Sequence, residues 1–186
     1  QVKMDLATIA VVNRTAYTPP PPRSAQGPHG IPPATPLVAC DPYFSIWSPA
    51  DGLAESDTVY WTGRQHRLTS LIRIDGRAYR LMGADPSRLD ALPQTGLEVL
   101  PTRTRYQFAG QGVGVTLEFL TPALPDDVSI LSRPVTYITW EVVATDGKSH
   151  DVGFYFDAAA EIAVNEPSQA VVWGREAVDG LEVLKV

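Results

Sequence analysis

The chain is poor in the residues that build disulfides and metal centres. Only one of its 186 residues is a cysteine, Cys40, which excludes an intramolecular disulfide and a cysteine-based zinc site. The three histidines, at positions 29, 66 and 150, are far apart and never show the i, i+4 spacing of a zinc-binding helix. The sequence therefore predicts no metal site and no cofactor.

Long apolar runs and basic clusters are also absent. No apolar stretch approaches the roughly 20 residues that cross a bilayer, so no membrane span is predicted. Residues 6–12 form a short apolar run without a basic segment before it or a cleavage site behind it, which gives no clear signal peptide. The 15 basic and 21 acidic residues give a net charge of −6 without a cationic run, which argues against a nucleic-acid partner.

Proline is concentrated near the start of the chain. Eight of the 17 prolines lie within the first 36 residues. Proline fixes φ and lacks a backbone donor, so this stretch cannot enter a helix or a sheet interior and favours an extended arm. We predict a Pro-rich tail or linker over residues 1–30 and one domain over residues 31–186.

From Leu37 onward, apolar residues recur with a period of two and are interrupted by Gly, Pro and Asp, as in half-buried antiparallel strands. Asp75-Gly76 supplies the two positive-φ positions of a type I′ hairpin turn. Residues 103–108 and 113–119 flank Gly110-Gln111-Gly112 and predict a second hairpin. The predicted fold is all-β, an antiparallel β-sandwich, with a closed barrel as the alternative.

A third unit is expected over residues 135–144 and 152–156, with a turn at Asp146-Gly147. Its two apolar faces are predicted to share one core. Residues 169–173 and 181–184 are predicted to be two further strands. The last residues before Val186 have the pattern of an unfinished strand, from which we expect the domain to be truncated at its C-terminus.

Two carboxylates are the candidate catalytic residues. Asp157 and Glu161 are four residues apart and close to aromatic residues, and paired carboxylates can act as general acid and base. The alternative, which we prefer, is a strand end that leads into a loop or a single helical turn. His66, between Trp61 and Leu68, either lines a binding surface or is an ordinary exposed loop residue.

The segment around residues 40–48 is unusually aromatic. Strand alternation would place Tyr43 and Trp47 on one face with Ser45, and Phe44 with Ile46 on the other. One face could fill the core while the other offers rings to a partner or a sugar, unless both faces pack inside. The candidate binding or interdomain residues are therefore Asp41, Tyr43, Trp47, Trp61 and His66.

Several motifs resemble the N-terminal region of the glutaminase A family of secreted fungal and bacterial proteins. They occur in the family's order at residues 32–48 (PPATPLVACDPYFSIWS), 60–63 (YWTG), 71–76 (LIRIDG), 92–95 (LPQT), 119–122 (FLTP), 132–137 (SRPVTY) and 155–161 (YFDAAAE). The chain departs from the family in its first 30 residues, in Cys40, and in ending before the family's helical domain.

The resemblance implies a β-sandwich placed ahead of a helical catalytic domain in the same polypeptide, in a protein that hydrolyses glutamine to glutamate and ammonia. It also implies a secreted or periplasmic location and a fragment without activity of its own. The competing interpretation is a carbohydrate-binding module, or the N-terminal domain of a glycoside hydrolase, with Tyr43, Trp47 and Trp61 stacking on a glycan ligand. The third interpretation is a domain with a purely structural role.

Overall fold

The computed structural model describes residues 4–5, 34–41 and 43–186, and these are built mainly from antiparallel strands. The strands are β1 (Met4–Asp5), β2 (Thr35–Asp41), β3 (Phe44–Ser48), β4 (Leu68–Ile74), β5 (Arg77–Met82), β6 (Gln94–Leu100), β7 (Arg103–Gly110), β8 (Val113–Leu120), β9 (Tyr137–Ala144), β10 (Val152–Ala158), β11 (Gly174–Val178) and β12 (Leu181–Lys185). The helices in this part of the chain are one α-turn, α1 (Val128–Leu131), and one 3₁₀ turn (Ala160–Ala163). The all-β prediction is confirmed.

Two four-stranded sheets form the body. The first sheet has the order β1-β10-β4-β5, and the second has the order β6-β7-β8-β9. The pairings within both sheets are antiparallel. The strands β2 and β3 form a separate pair beside the second sheet, where the Thr104 hydroxyl donates to the Pro36 carbonyl at 2.7 Å.

The core lies between the two sheets because alternate residues of each strand face inward. On β8, Val113, Val115, Leu117 and Phe119 are buried, as the alternation predicts. They belong to one apolar cluster with Ile72 and Phe154 of the first sheet. This two-layered packing confirms the predicted sandwich and differs from the alternative closed barrel.

Both predicted hairpin turns are present. Asp75 and Gly76 have φ values of 49° and 85°, and Gln111 and Gly112 have values of 56° and 78°. Positive φ at both central positions matches the right-handed twist of the flanking strands. Strands β7 and β8 pair in continuous register up to their turn, and β4 and β5 do so from Leu71 onward, after a register shift between Ser70 and Leu71.

The unit predicted over residues 135–144 and 152–156 differs from a hairpin. Strand β9 begins at Tyr137 and pairs with β8, whereas β10 pairs with β4, so the connection crosses from one sheet to the other. The predicted shared core is confirmed, because Trp140 of β9 contacts the rings of Phe154 and Phe156 at centroid distances of 5.8 and 5.6 Å. The contact joins the two layers.

The prediction of a strand over residues 169–173 is wrong, because the strand in this region is β11, over Gly174–Val178. Asp179 and Gly180 have φ values of 49° and 81° and pair Val178 with Leu181 across a tight turn. Counting back from that turn places the strand at Gly174–Val178. The expected strand over residues 181–184 is confirmed as β12.

Part of the predicted tail returns to the body, since the backbone of β1 pairs with the edge of β10. The extended conformation predicted for the Pro-rich segment falls outside the described residues. Within the described part of the chain, no helix is long and apolar enough to cross a membrane.

Candidate functional site

The outer face of the first sheet forms the floor of a cleft of about 1150 Å³, here named the outer cleft. Strand alternation turns Leu71 and Arg73 of β4 and Gly153 and Tyr155 of β10 away from the core and into this cleft. Its walls are the loop around residues 85–89 and the turn around residues 159–161. The floor of the outer cleft therefore mixes apolar and polar side chains, and its walls carry the charged residues Asp85, Arg88 and Glu161.

Asp157 lies in the outer cleft at the end of β10 and is only 6% exposed. The Tyr155 hydroxyl donates to Asp157 Oδ2 at 2.8 Å. Residues two apart on a strand point to the same face, which explains why these side chains meet. This bond satisfies one oxygen of a carboxylate that is otherwise costly to bury.

Glu161 lies in the 3₁₀ turn that follows β10 and is held by Arg67. Arg67 donates from Nε to Glu161 Oε1 at 2.9 Å and from NH2 to Oε2 at 3.3 Å, and its backbone N–H lies 3.3 Å from Oε1. The hydrogen bond to Glu161 raises the pKa of Arg67. The preferred interpretation of a strand end leading into a single helical turn is confirmed, and both carboxylates of the predicted pair line one cleft.

His66 is buried, with 7% of its surface exposed, which overturns the interpretation of an ordinary exposed loop residue. Its backbone is fixed by Thr58, which accepts from the His66 N–H at 3.1 Å and donates from its hydroxyl to the His66 carbonyl at 2.6 Å. The imidazole packs on the Tyr60 ring at a centroid distance of 5.2 Å. Among the described residues, no partner bonds His66 Nδ1.

Burial lowers the pKa of His66, the nearby charge of Arg64 lowers it further, and Glu161 acts in the opposite direction. Because burial penalises the charged imidazolium, His66 is neutral at pH 7.

Trp61 lies at the tip of a short turn near His66. The turn is closed by a hydrogen bond from the Gly63 N–H to the Tyr60 carbonyl at 2.8 Å. The Trp61 side chain is 65% exposed and contacts the Tyr60 ring at 5.6 Å. An exposed indole beside a second ring is available for stacking, and the predicted glycan role of Trp61 stays a prediction.

Asp41 shapes the turn before β3. Its Oδ1 accepts from the backbone N–H groups of Tyr43 at 2.6 Å and Phe44 at 2.9 Å. The prediction that Tyr43 lies on a strand face with Trp47 is wrong, because this turn ends only at Phe44 and leaves Tyr43 outside the strand and 90% exposed. Trp47 is half-buried, and its Nε1 donates to Ser45 Oγ at 3.0 Å, as expected for residues on one face.

The structure therefore brings Asp157 and Glu161 together with Arg67 in the outer cleft. His66 packs on Tyr60 and is not among the residues that line the cleft, and Asp41 and Tyr43 lie in a different turn. Sequence reasoning missed the other charged residues of the outer cleft, namely Asp57, Arg67, Arg73, Asp85 and Arg88. They belong to separate loops and strands and form no motif. One signal could have found Arg73: once the register of β4 is known, strand alternation places Arg73 on the outward face of the sheet.

The outer cleft combines acidic and basic side chains and suits a polar ligand or a polar protein surface. Asp85 and Arg88 are exposed on its wall. Within the described residues, no group of three or more His, Cys, Asp or Glu side chains is arranged to hold a metal ion.

Comparisons with known proteins identify relatives of this chain. Two family models match the chain, a domain of unknown function (DUF4964) at residues 24–93 and another (DUF5127) at residues 102–186. Glutaminase A of Aspergillus oryzae is 33% identical over 150 residues, covering 76% of this chain and 22% of the relative. A probable glutaminase of Arthroderma benhamiae is 26% identical over 162 residues, covering 76% of this chain and 18% of the relative.

No solved structure gave a significant match to the chain. The chain spans about a fifth of the length of the curated relatives it matches. The family expected from the sequence motifs is confirmed by these relatives and by the two adjacent domain matches. The chain belongs to the glutaminase A family and corresponds to its N-terminal region.

Proposed function

We propose that this chain is the accessory β-sandwich of a glutaminase-like amidohydrolase that converts L-glutamine to L-glutamate and ammonia. In this proposal a helical catalytic domain, elsewhere in the same polypeptide, carries the reacting groups. The observation that carries the proposal is the match to longer relatives, of which only 22% and 18% are covered, combined with an outer cleft whose two candidate carboxylates are already engaged.

The engagement of Asp157 and Glu161 supports an accessory role. A general acid or base must exchange a proton with the substrate, and a carboxylate whose two oxygens both accept from one arginine already has hydrogen-bonding positions engaged. Glu161 is so held by Arg67, and Asp157 accepts from Tyr155. Hydrolysis of the amide is therefore assigned to residues outside this chain.

The polar wall of the outer cleft is the surface proposed to adjoin the catalytic domain. Arg88 and Asp85 are exposed there, and their opposite charges can pair with complementary groups on a partner surface. Arg77, whose NH2 lies 2.8 Å from Asp90 Oδ2, is not among the residues that line the cleft and provides a matched control.

Ammonia release from glutamine tests the proposal. We expect turnover by the full-length gene product and none by this chain alone. In the full-length protein, Arg88→Ala should lower kcat/KM or loosen the contact between domains, whereas Arg77→Ala should leave both unchanged. Robust turnover by the isolated chain would refute the accessory role.

Export belongs to the same proposal, since the family motifs resemble those of secreted proteins. Fractionation of cells that express the natural gene tests it, with the protein expected in the medium or periplasm. Recovery only with the cytosolic fraction would contradict export.

Glycan binding is the second candidate function, favoured by the exposure of Trp61 at the tip of its turn. Aromatic rings stack on the apolar faces of sugars. A glycan array should then give binding that Trp61→Ala abolishes and that Trp173→Ala, another exposed tryptophan, retains. The absence of binding to any sugar would remove this candidate.

A further inference from the structure

A histidine held between two carboxylates connects the two sheets at one end of the sandwich. His150 lies in the connection between β9 and β10, with Nδ1 2.7 Å from Asp75 Oδ2 and Nε2 3.0 Å from Asp146 Oδ1. Asp75 belongs to the β4–β5 turn of the first sheet, and Asp146 follows β9 of the second. The His150 side chain is only 8% exposed.

Only the protonated ring satisfies both contacts. A neutral imidazole has one N–H and one nitrogen lone pair, so one of its nitrogens would face a carboxylate lone pair. An imidazolium donates from both nitrogens, and charge-assisted bonds of this kind are the strong ones. From this geometry we propose that His150 is a proton-dependent clasp that ties the β4–β5 turn to the connection between the sheets.

The charges around the clasp favour the imidazolium. The backbone N–H of Asp151 donates to Asp75 Oδ1 at 2.9 Å, so Asp151, whose own side chain is a third carboxylate, lies next to the clasp. Two cations accompany them, since Lys148 Nζ lies 3.8 Å from Asp146 and Arg73 NH1 lies 3.0 Å from Asp151. Three carboxylates and two cations leave one negative charge, which the protonated ring neutralises.

The β7–β8 turn closes over the clasp without adding a charge. Its residues are Gln111 and Gly112, and a Cβ atom on Gly112 would lie 2.8 Å from the His150 ring and 2.7 Å from Asp146 Oδ2. The backbone N–H of Thr145 donates to the Gly112 carbonyl at 2.8 Å. Turns from both sheets therefore meet at one imidazole.

The titration of the three groups agrees with the geometry. The hydrogen bonds that His150 donates to Asp75 and Asp146 raise the pKa of His150, and the same bonds lower the pKa of both carboxyl groups. The clasp contribution is complete below the ordinary histidine value of 6.5 and is lost as the pH rises through the raised value. The clasp contribution is also lost in acid, as the pH falls from the ordinary aspartate pKa of 3.8 through the lowered pKa values of Asp75 and Asp146.

The clasp also governs one end of the outer cleft. Asp151 pairs with Arg73, which lines the cleft, and β4 and β10, which form the cleft floor, start or end within two residues of Asp75 and Asp151. Loss of the proton on His150 removes one tie that holds these strand ends together. The shape of this end of the cleft thus becomes dependent on pH.

Nuclear magnetic resonance and thermal unfolding of the chain test the clasp. The His150 ring should titrate above 6.5, and Asp75→Asn or Asp146→Asn should each move that titration downward. Between pH 6 and pH 8.5 the Tm of the unmodified chain should fall by about 2–4 °C relative to that of His150→Gln. His66 titrates in both proteins and cancels in this difference.

Asp90→Asn is the matched control, because it removes the aspartate of an exposed ion pair with Arg77 of β5 and should leave the His150 titration unchanged. A His150 ring that titrates at or below 6.5 would overturn the proposal, as would parallel Tm profiles for the unmodified chain and His150→Gln. The titration of the unmodified chain decides the matter even where a variant fails to fold.

Discussion

The indole Nε1 of Trp140 donates a hydrogen bond of 3.0 Å to the hydroxyl of Ser70. Trp140 lies on β9 of the second sheet and Ser70 on β4 of the first, so this bond spans the core between the layers. Ser70 is fully buried, and the Trp140 ring also packs against Phe154 and Phe156. A polar contact and an aromatic cluster thus coincide where the sheets meet.

Trp140→Phe should lower the free energy of unfolding by about 2 kcal/mol, because it removes the donor and part of the ring while leaving a buried hydroxyl. Denaturant unfolding measures the change. Trp173→Phe, at a side chain that is 64% exposed, should cost less than about 0.5 kcal/mol. In a double-mutant cycle with Ser70→Ala, zero coupling would contradict the role of the bond.

Gly112→Ala should destabilise the chain by at least about 2 kcal/mol. Its φ of +78° already disfavours an L side chain by about 1–2 kcal/mol, and the new Cβ would meet Asp146 Oδ2 at 2.7 Å. Gly76→Ala is the matched control, since Gly76 has a φ of +85° with no atom within 4 Å of the added Cβ. Equal costs for the two substitutions in denaturant unfolding would refute the steric account.

His66 should titrate below 6.5, because burial and Arg64 lower its pKa. The folded state then disfavours the protonated ring, so stability is complete above 6.5 and is lost as the pH falls toward the lowered value. Unfolding midpoints measured from pH 7 to pH 5 should decline less steeply for His66→Gln than for the unmodified chain. Identical slopes would show that His66 makes no contribution.

Glu161→Gln should lower the free energy of unfolding by about 0.5–1 kcal/mol. The substitution removes the charge that holds Arg67, whose side chain is 44% exposed, so solvent limits the value of the pair. The loss should shrink at high salt because the interaction is ionic. Asp90→Asn, in the more exposed pair with Arg77, should change the free energy of unfolding by less than about 0.3 kcal/mol. A larger loss for Asp90→Asn than for Glu161→Gln would contradict the expectation that the less exposed pair contributes more.

Much of the sandwich was predictable because local chemistry decides it. The Asp75-Gly76 turn fixes its hairpin through backbone conformation alone, and the alternation over β8 fixes which side chains face the core. The strand misplaced at residues 169–173 would have been found from the same signal, since Asp179-Gly180 repeats the Asp-Gly turn.

Other features depend on tertiary structure and leave no trace in a local pattern. Whether β9 and β10 pair with each other is decided by which sheet each strand joins, and the sequence between them looks like an ordinary hairpin connection. The outer cleft gathers Arg67, Arg88 and Glu161 from distant segments. The burial of His66 depends on neighbours far along the chain, which a local pattern does not contain. The position of Tyr43 depends on one side-chain cap, the bond from its backbone N–H to Asp41.

The position of β10 has a consequence for how such proteins diversify. The two family matches end and begin on either side of β6, yet β10, from the second match, lies against β4 from the first. A gene segment ending at residue 93 would lack β10 and leave β4 as a second bare edge beside the existing edge β5, and bare edges are a known route to aggregation. Recombination between relatives should therefore inherit the two matched segments together, as a single evolutionary unit.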